Sequence, residues 1–222
     1  MKKTLKIVLS ALMVFCMGIA LAGCSSAQDK EAKDTSTENK TEDTGFKQTE
    51  SQPGGKKYQA VVKVKDYGDI VFEMDEGIAP LTVENFVNLA NSGFYDGLTF
   101  HRIMDGFMIQ GGDPNGNGTG GSDQKIKGEF ASNGYSNSLS HVRGTVSMAR
   151  SAVPDSASSQ FFIVQDDSTF LDGDYAAFGT VTEGMDVVDA IAKAAKPTDN
   201  NGSIAPDEQP VIESVTVTEI SE

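Results

Sequence analysis

Three arginines occur in this 222-residue chain, and Arg102 lies inside the apolar, strand-like run Leu98–Ile103. A guanidinium stays charged at any physiological pH and presents a rigid fan of N–H groups. Set against apolar surface, it suits a reaction that needs a fixed donor more than a proton carrier. His101 adjoins it, but the period of 2 in a strand turns neighbours to opposite faces, so His101 is read as structural. His141 falls in a polar loop and carries no signal. The two cysteines, Cys16 and Cys24, are both N-terminal, so the rest of the chain excludes thiol catalysis and cysteine-based metal binding. Asp113 to Gly118 (DPNGNG) opens like a calcium loop, yet its twelfth position is Gln124 where such loops need a bidentate Glu. The surrounding GGDPNGNGTGG is Gly-rich but lacks the Lys-Ser/Thr ending of a phosphate cradle. It is expected to be a rim loop. No metal and no cofactor is expected.

The elements that must position Arg102 can be read around it. Tyr58–Lys65 and Ile70–Met74 form two strands about the turn Asp66–Asp69. Pro80–Asn91 predicts a helix, with Pro80 in its first turn, Phe86, Val87 and Leu89 apolar, and Gly93 past its end. Short strand-like runs follow at Leu98–Ile103, Phe107–Gln110, Gly144–Met148, Gln160–Val164 and Ala177–Val181. Glu183–Ala195 reads as a second helix with Val187, Ile191 and Ala194 on one face. Val211–Ile220 alternates Val215 and Val217 with Thr216 and Thr218. Seven or eight strands and two separated helices imply a mainly β domain, an antiparallel barrel capped by helices.

Composition bounds the function. Hydrophobic residues make up 38%, enough for a core and too few for a polytopic membrane protein. The net charge of −14 argues against a nucleic-acid partner, which needs a basic surface. The first 23 residues differ from the rest. Lys2, Lys3 and Lys6 precede an apolar run, Ile7–Ala20, too short to span a bilayer. It ends in Leu21-Ala22-Gly23-Cys24, which resembles a bacterial lipobox. Cys24 is therefore expected to be lipidated after removal of 1–23, anchoring the protein to a membrane outside the cytoplasm. Residues 25–57 carry seven acidic and six basic side chains and one large apolar residue, Phe46. No core can form there, so 24–57 is expected to be a disordered tether spanning about 30 Å. The folded domain is expected at 58–222, with 25 acidic and nine basic residues and a net charge of −16.

Three blocks then agree in order and spacing. Phe100–Asp113 (FHRIMDGFMIQGGD) resembles the signature of the cyclophilins. Met148-Ala149-Arg150 with Ser158–Ile163 (SSQFFI), and Phe170–Gly173 (FLDG) with Tyr175–Gly179 (YAAFG), resemble the family's next two stretches. The likeness covers nearly all of 58–222. It implies a closed eight-stranded antiparallel barrel with two helices, and a peptidyl-prolyl cis/trans isomerase that acts on proline-containing polypeptides.

That reaction turns an X-Pro amide whose resonance sets a barrier near 20 kcal/mol. Nothing covalent breaks. Catalysis needs a donor aimed at the proline nitrogen as it regains its lone pair, an apolar seat for the ring, and polar groups for the flanking carbonyls. The resemblance makes Arg102 that donor, with Gln110 and Phe107 beside it. Phe107, Met108, Phe162 and Leu171 match the proline seat, and Gln160 a polar wall. Ala149 and Arg150 match the strand that pairs with substrate. Arg150 replaces the Asn of the best-known eukaryotic members, Phe170 their Trp and Tyr175 their His. Loss of the indole donor implies weak binding of the family's cyclic peptide inhibitor. Between Met148 and Gln160 there is one extra residue, near Pro154. A rival reading is a module that only holds proline segments, as a holdase or adhesin. A solute-binding lipoprotein is disfavoured, because alternating β/α patterns are absent. A monomer is the default.

Overall fold

The computed structural model of the protein describes residues 55–221. The expected signal segment 1–23, Cys24 and nearly all of the linker lie outside the described residues. Alternating side chains build the sheet. β1 (Lys57–Val64) buries Ala60, Val62 and Val64, and β2 (Gly68–Asp75) buries Ile70, Phe72 and Met74. Asp66, at φ 65°, turns one strand into the other. The remaining elements are α1 (Pro80–Asn91), β3 (Phe100–Met104), β4 (Met108–Gly111), β5 (Thr145–Met148), β6 (Phe161–Val164), β7 (Ala177–Glu183), α2 (Met185–Ala194) and β8 (Ile212–Ile220). Every ladder is antiparallel, and the strand order is β3-β4-β6-β5-β7-β2-β1-β8.

The expected closed barrel is corrected. The sheet curls, but its end strands β3 and β8 form no ladder with each other. They approach only at their starts, through the Thr99–Val211 bridge and the bond from the Phe100 N–H to the Pro210 carbonyl. Beyond that point the outer edge of β3 is taken by another segment. The Ile103 N–H donates to the Gly202 carbonyl, and the Ile204 N–H to the His101 carbonyl. With that edge satisfied, β8 has nothing left to pair with on β3. The result is a half-barrel, mainly β, with two helices.

α1 packs against β8 and β2, and Phe86 inserts among Phe72, Tyr95, Phe161 and Phe178 with ring centroids 5.0 to 5.5 Å apart. Ala79, before its first turn, has no side chain to cap the helix. The buried Glu129 does so from afar, accepting the N–H groups of Leu81 (3.1 Å) and Thr82 (2.8 Å) and the Thr82 hydroxyl (2.7 Å). A carboxylate there answers both the orphan donors and the helix dipole. In α2 the buried face is Val188, Ile191 and Ala192, and the expected Ala194 is exposed. The helix starts at Met185, after Gly184, two residues later than expected, and its packed face is centred on Val188, Ile191 and Ala192 at three- and four-residue steps. Among the described residues no helix is long and apolar enough to cross a membrane.

Candidate active site

Strand alternation sorts the neighbours of Arg102 onto two faces. On β6, Phe161 and Ile163 enter the main core, while Phe162 and Val164 join a second cluster with Met108 and Leu171. On β4, Met108 and Gln110 alternate with the core residue Ile109. The β3–β4 hairpin turns at Asp105–Phe107, where Gly106 takes φ 78° and the Phe107 N–H donates to the Met104 carbonyl at 3.0 Å. Pairing sets Arg102 opposite Gln110 and Met104 opposite Met108. The next turn needs Gly112, at φ 81°, because a Cβ there would lie 2.5 Å from the Ser159 carbonyl oxygen.

These elements line one cavity of about 130 Å³, walled by Arg102, Phe107, Met108, Gln110, Ala149, Arg150, Phe162, Leu171 and Tyr175. The two other residues singled out in the sequence flank it. Gln160 is hydrogen-bonded to Gln110, and Phe170 is 73% exposed with its ring 5.6 Å from that of Phe107. Leu171 is buried, with the pocket cluster and apart from the main core.

Arg102 is held from several sides. Its Nε donates to the Asn201 carbonyl at 2.7 Å and its Nη1 to Gln110 Oε1 at 3.1 Å. The sulfurs of Met104 and Met108 lie 3.3 and 3.9 Å from its terminal nitrogens. Gln110 Nε2 donates to Gln160 Oε1 (2.9 Å), and Gln160 Nε2 to the Gly120 carbonyl (2.7 Å). One amide chain thus runs from the rim loop to the guanidinium and fixes its plane. Burial pushes the Arg102 pKa down, and the nearby Tyr175 and Asp199 oppose that. An arginine so perturbed is still a cation at neutral pH.

His101 departs from the expected alternation. A bulge between Phe100 and Arg102 makes it the extra residue of β3, and bulges break the two-face rule. It lines a cavity of about 510 Å³ together with Arg102. It is buried, neither ring nitrogen has a hydrogen-bond partner among the described residues, and burial pushes its pKa down. It is therefore a neutral imidazole at pH 7. Asp113 is an internal anchor of the rim loop: its carboxylate accepts the N–H groups of Asn115 (2.8 Å), Asn117 (3.1 Å) and Gly118.

His141 is what the sequence reading missed. It is buried, with Nδ1 2.8 Å from Asp172 Oδ1 and Nε2 3.0 Å from Ser147 Oγ. The order Asp-His-Ser is that of a hydrolase triad, but Ser147 is fully buried and no substrate can reach it. The imidazole instead supports the pocket. It stacks on Phe162 (6.0 Å between centroids, 16°) and meets Tyr175 edge-on at 6.4 Å. Asp172, next to the wall residue Leu171, ties it down. Its partners lie 6 and 31 residues away in sequence, so no local pattern announces it.

Comparison with known proteins agrees with this geometry. Residues 60–219 match the family model described as "Cyclophilin type peptidyl-prolyl cis-trans isomerase/CLD". The chain is 42% identical over 164 residues to peptidyl-prolyl cis-trans isomerase B of Escherichia coli, covering 69% of this chain and 96% of that protein. It is 47% identical over 123 residues to peptidyl-prolyl cis-trans isomerase B of Bacillus subtilis, covering 55% and 82%. The crystal structure of a Cryptosporidium parvum cyclophilin type peptidyl-prolyl cis-trans isomerase in the presence of the dipeptide Ala-Pro matches with a TM-score of 0.63. That match has 29% identity and covers 72% of this chain and 98% of that one. Fold, pocket and likeness converge, and the chain belongs to the cyclophilin-type peptidyl-prolyl cis-trans isomerase family.

Proposed function

We propose that this isomerase accelerates X-Pro rotation in exported polypeptides, with Arg102 stabilising the twisted amide. The observation that carries the reading is a cation fixed by Gln110 and Asn201 on the wall of a small cavity that Phe107, Met108, Phe162 and Leu171 also line. In the planar ground state the proline nitrogen is conjugated and a poor acceptor. At the twisted state it becomes pyramidal and regains its lone pair. A guanidinium N–H aimed at it then binds the transition state better than either ground state. Phe107, Met108, Phe162 and Leu171 hold the ring, so that the half before the proline turns against a fixed seat. Gln110 orients Arg102 and offers a donor to a flanking carbonyl. No proton moves, which leaves His101 without a chemical part. A pure proline-binding module would not need Arg102 hydrogen-bonded in this pose, which favours the enzyme. Exchange NMR on a short X-Pro peptide tests this. Wild type should accelerate exchange, and Arg102→Ala should cut kcat/KM by about a hundred-fold or more with the fold kept. An equally fast Arg102→Ala would sink the assignment.

The proposal extends to location. Lys2, Lys3 and Lys6, the short apolar run and Leu21-Ala22-Gly23-Cys24 support lipidation of Cys24. The polar segment 25–57 would then tether a monomeric domain at the outer face of a membrane. Cys24→Ser should move the protein from the membrane to the soluble fraction. Continued membrane attachment of that variant rules the lipid anchor out.

A further inference from the structure

Arg150 follows β5, and its guanidinium is packed between two aromatic rings. Its Cζ lies 4.9 Å from the centroid of Phe130 and 4.8 Å from that of Tyr175. Its Nε donates to the Asp174 carbonyl at 2.7 Å and its Nη1 to the Ser151 carbonyl at 2.9 Å. Two sites at which the sequence departs from the eukaryotic pattern, Arg150 and Tyr175, therefore touch. Arg150 also lines two adjoining cavities, the small one beside Arg102 and a polar groove of about 320 Å³ that includes Thr119, Lys125 and Ser158.

The charge of Arg150 is unspent. From residue 58 on there are 25 carboxylate side chains and nine cations. Arg143 takes one carboxylate, Asp189, at 2.7 Å. Among the described residues none pairs with Arg150, whose hydrogen bonds go to backbone carbonyls alone. A cation without an anion, in a domain so rich in anions, points to a carboxylate supplied by the ligand. The aromatic sandwich holds the guanidinium still before anything binds, so little side-chain entropy remains to be lost on pairing.

We propose that Arg150 is a specificity-determining residue, which makes the site favour clients that carry an aspartate or glutamate close to the proline, its carboxylate lying in the groove beside the proline seat. This rests on the isomerase reading above. The net charge of −16 repels acidic chains at a distance, so the preference arises within the groove, at contact range, with Lys125 adding to it.

The test is a set of peptides of one sequence, with Glu or Lys placed at each of the two positions before and two after the proline, and one all-alanine reference. Exchange NMR gives kcat/KM for each with the full protein. For at least one position, wild type should favour Glu over Lys by about three- to ten-fold. Arg150→Gln should bring that ratio close to one, and Arg150→Lys should keep part of it, because charge survives while the stacked plane is lost. The preference should also shrink between about 0.05 and 0.5 M salt. A wild-type ratio within two-fold at all four positions overturns the proposal, as does an unchanged ratio in Arg150→Gln. If Arg150→Gln does not fold, a wild-type preference indifferent to salt overturns it. If no peptide is accelerated, the reference included, it is the isomerase reading that fails.

Discussion

Phe161 and Phe162 are neighbours on β6 and serve different interiors. Phe161 is enclosed in the main cluster, edge-on to Phe86 at 5.5 Å and to Tyr95 at 5.6 Å. Phe162 stands on the other face, stacked on His141 and lining the cavity beside Arg102. The first cluster is buried and joins the sheet to α1, through Phe86, and to α2, through Val188 and Ile191. The second is small, open to solvent through its cavity, and backed by polar groups such as His141, Ser147 and Gln110. The same strand thus builds the main core on one face and lines the candidate site on the other. What separates them is the company each face keeps, not the type of residue.

Single substitutions can break this division. Phe161→Ala should cost about 3–5 kcal/mol of unfolding free energy, because its cavity cannot collapse. Phe162→Ala should cost under about 3 kcal/mol, since its side already opens on a cavity, while kcat/KM falls about ten-fold or more. Equal losses of stability in urea unfolding would mean that the two clusters are one.

Acid should sharpen the contrast. Burial holds the folded pKa values of His101 and His141 below the ordinary value of 6.5. The unfolded chain therefore binds protons first as pH falls, and stability is lost below about pH 6.5, by up to about 1.4 kcal/mol per pH unit for each histidine. His141 backs the pocket through Phe162, whereas His101 lines the neighbouring cavity, and His141→Asn should flatten the dependence of the urea midpoint on pH between 7 and 5. A slope unchanged by that variant argues against His141 as a source. The smallest effect belongs to Phe170, which touches Phe107 but is mostly exposed. Phe170→Ala should leave stability within about 0.5 kcal/mol and raise KM about three-fold. A stability loss comparable to that of Phe162→Ala would place Phe170 inside the pocket cluster.

Much of this was legible along the chain, for local reasons. α1 occupies Pro80–Asn91 as expected, because Pro80 starts it and an apolar stripe sustains it. Strand positions were right to within two residues, since alternation is a short-range signal. The signature blocks assembled around one cavity, although they are up to 73 residues apart (Arg102 to Tyr175). Besides the role of His141, three features were not legible. The bulge at His101 follows from pairing with β4. The open seam follows from Gly202–Ile204 occupying the edge of β3. The cap on α1 comes from Glu129, 47 residues beyond Thr82.

The sequence alone determined the family, the two periodicities and the residue types proposed to grip a proline and face a twisting amide. These depend on side-chain chemistry and on spacings within single strands and helices. Only the tertiary structure decided what each of those side chains leans on. Gln160 reaches Gln110, His141 reaches Asp172, and Arg150 slides between Phe130 and Tyr175. Contacts of that kind join segments tens of residues apart, and their partners are chosen by how the sheet curls and where its edge is blocked, which no local pattern records.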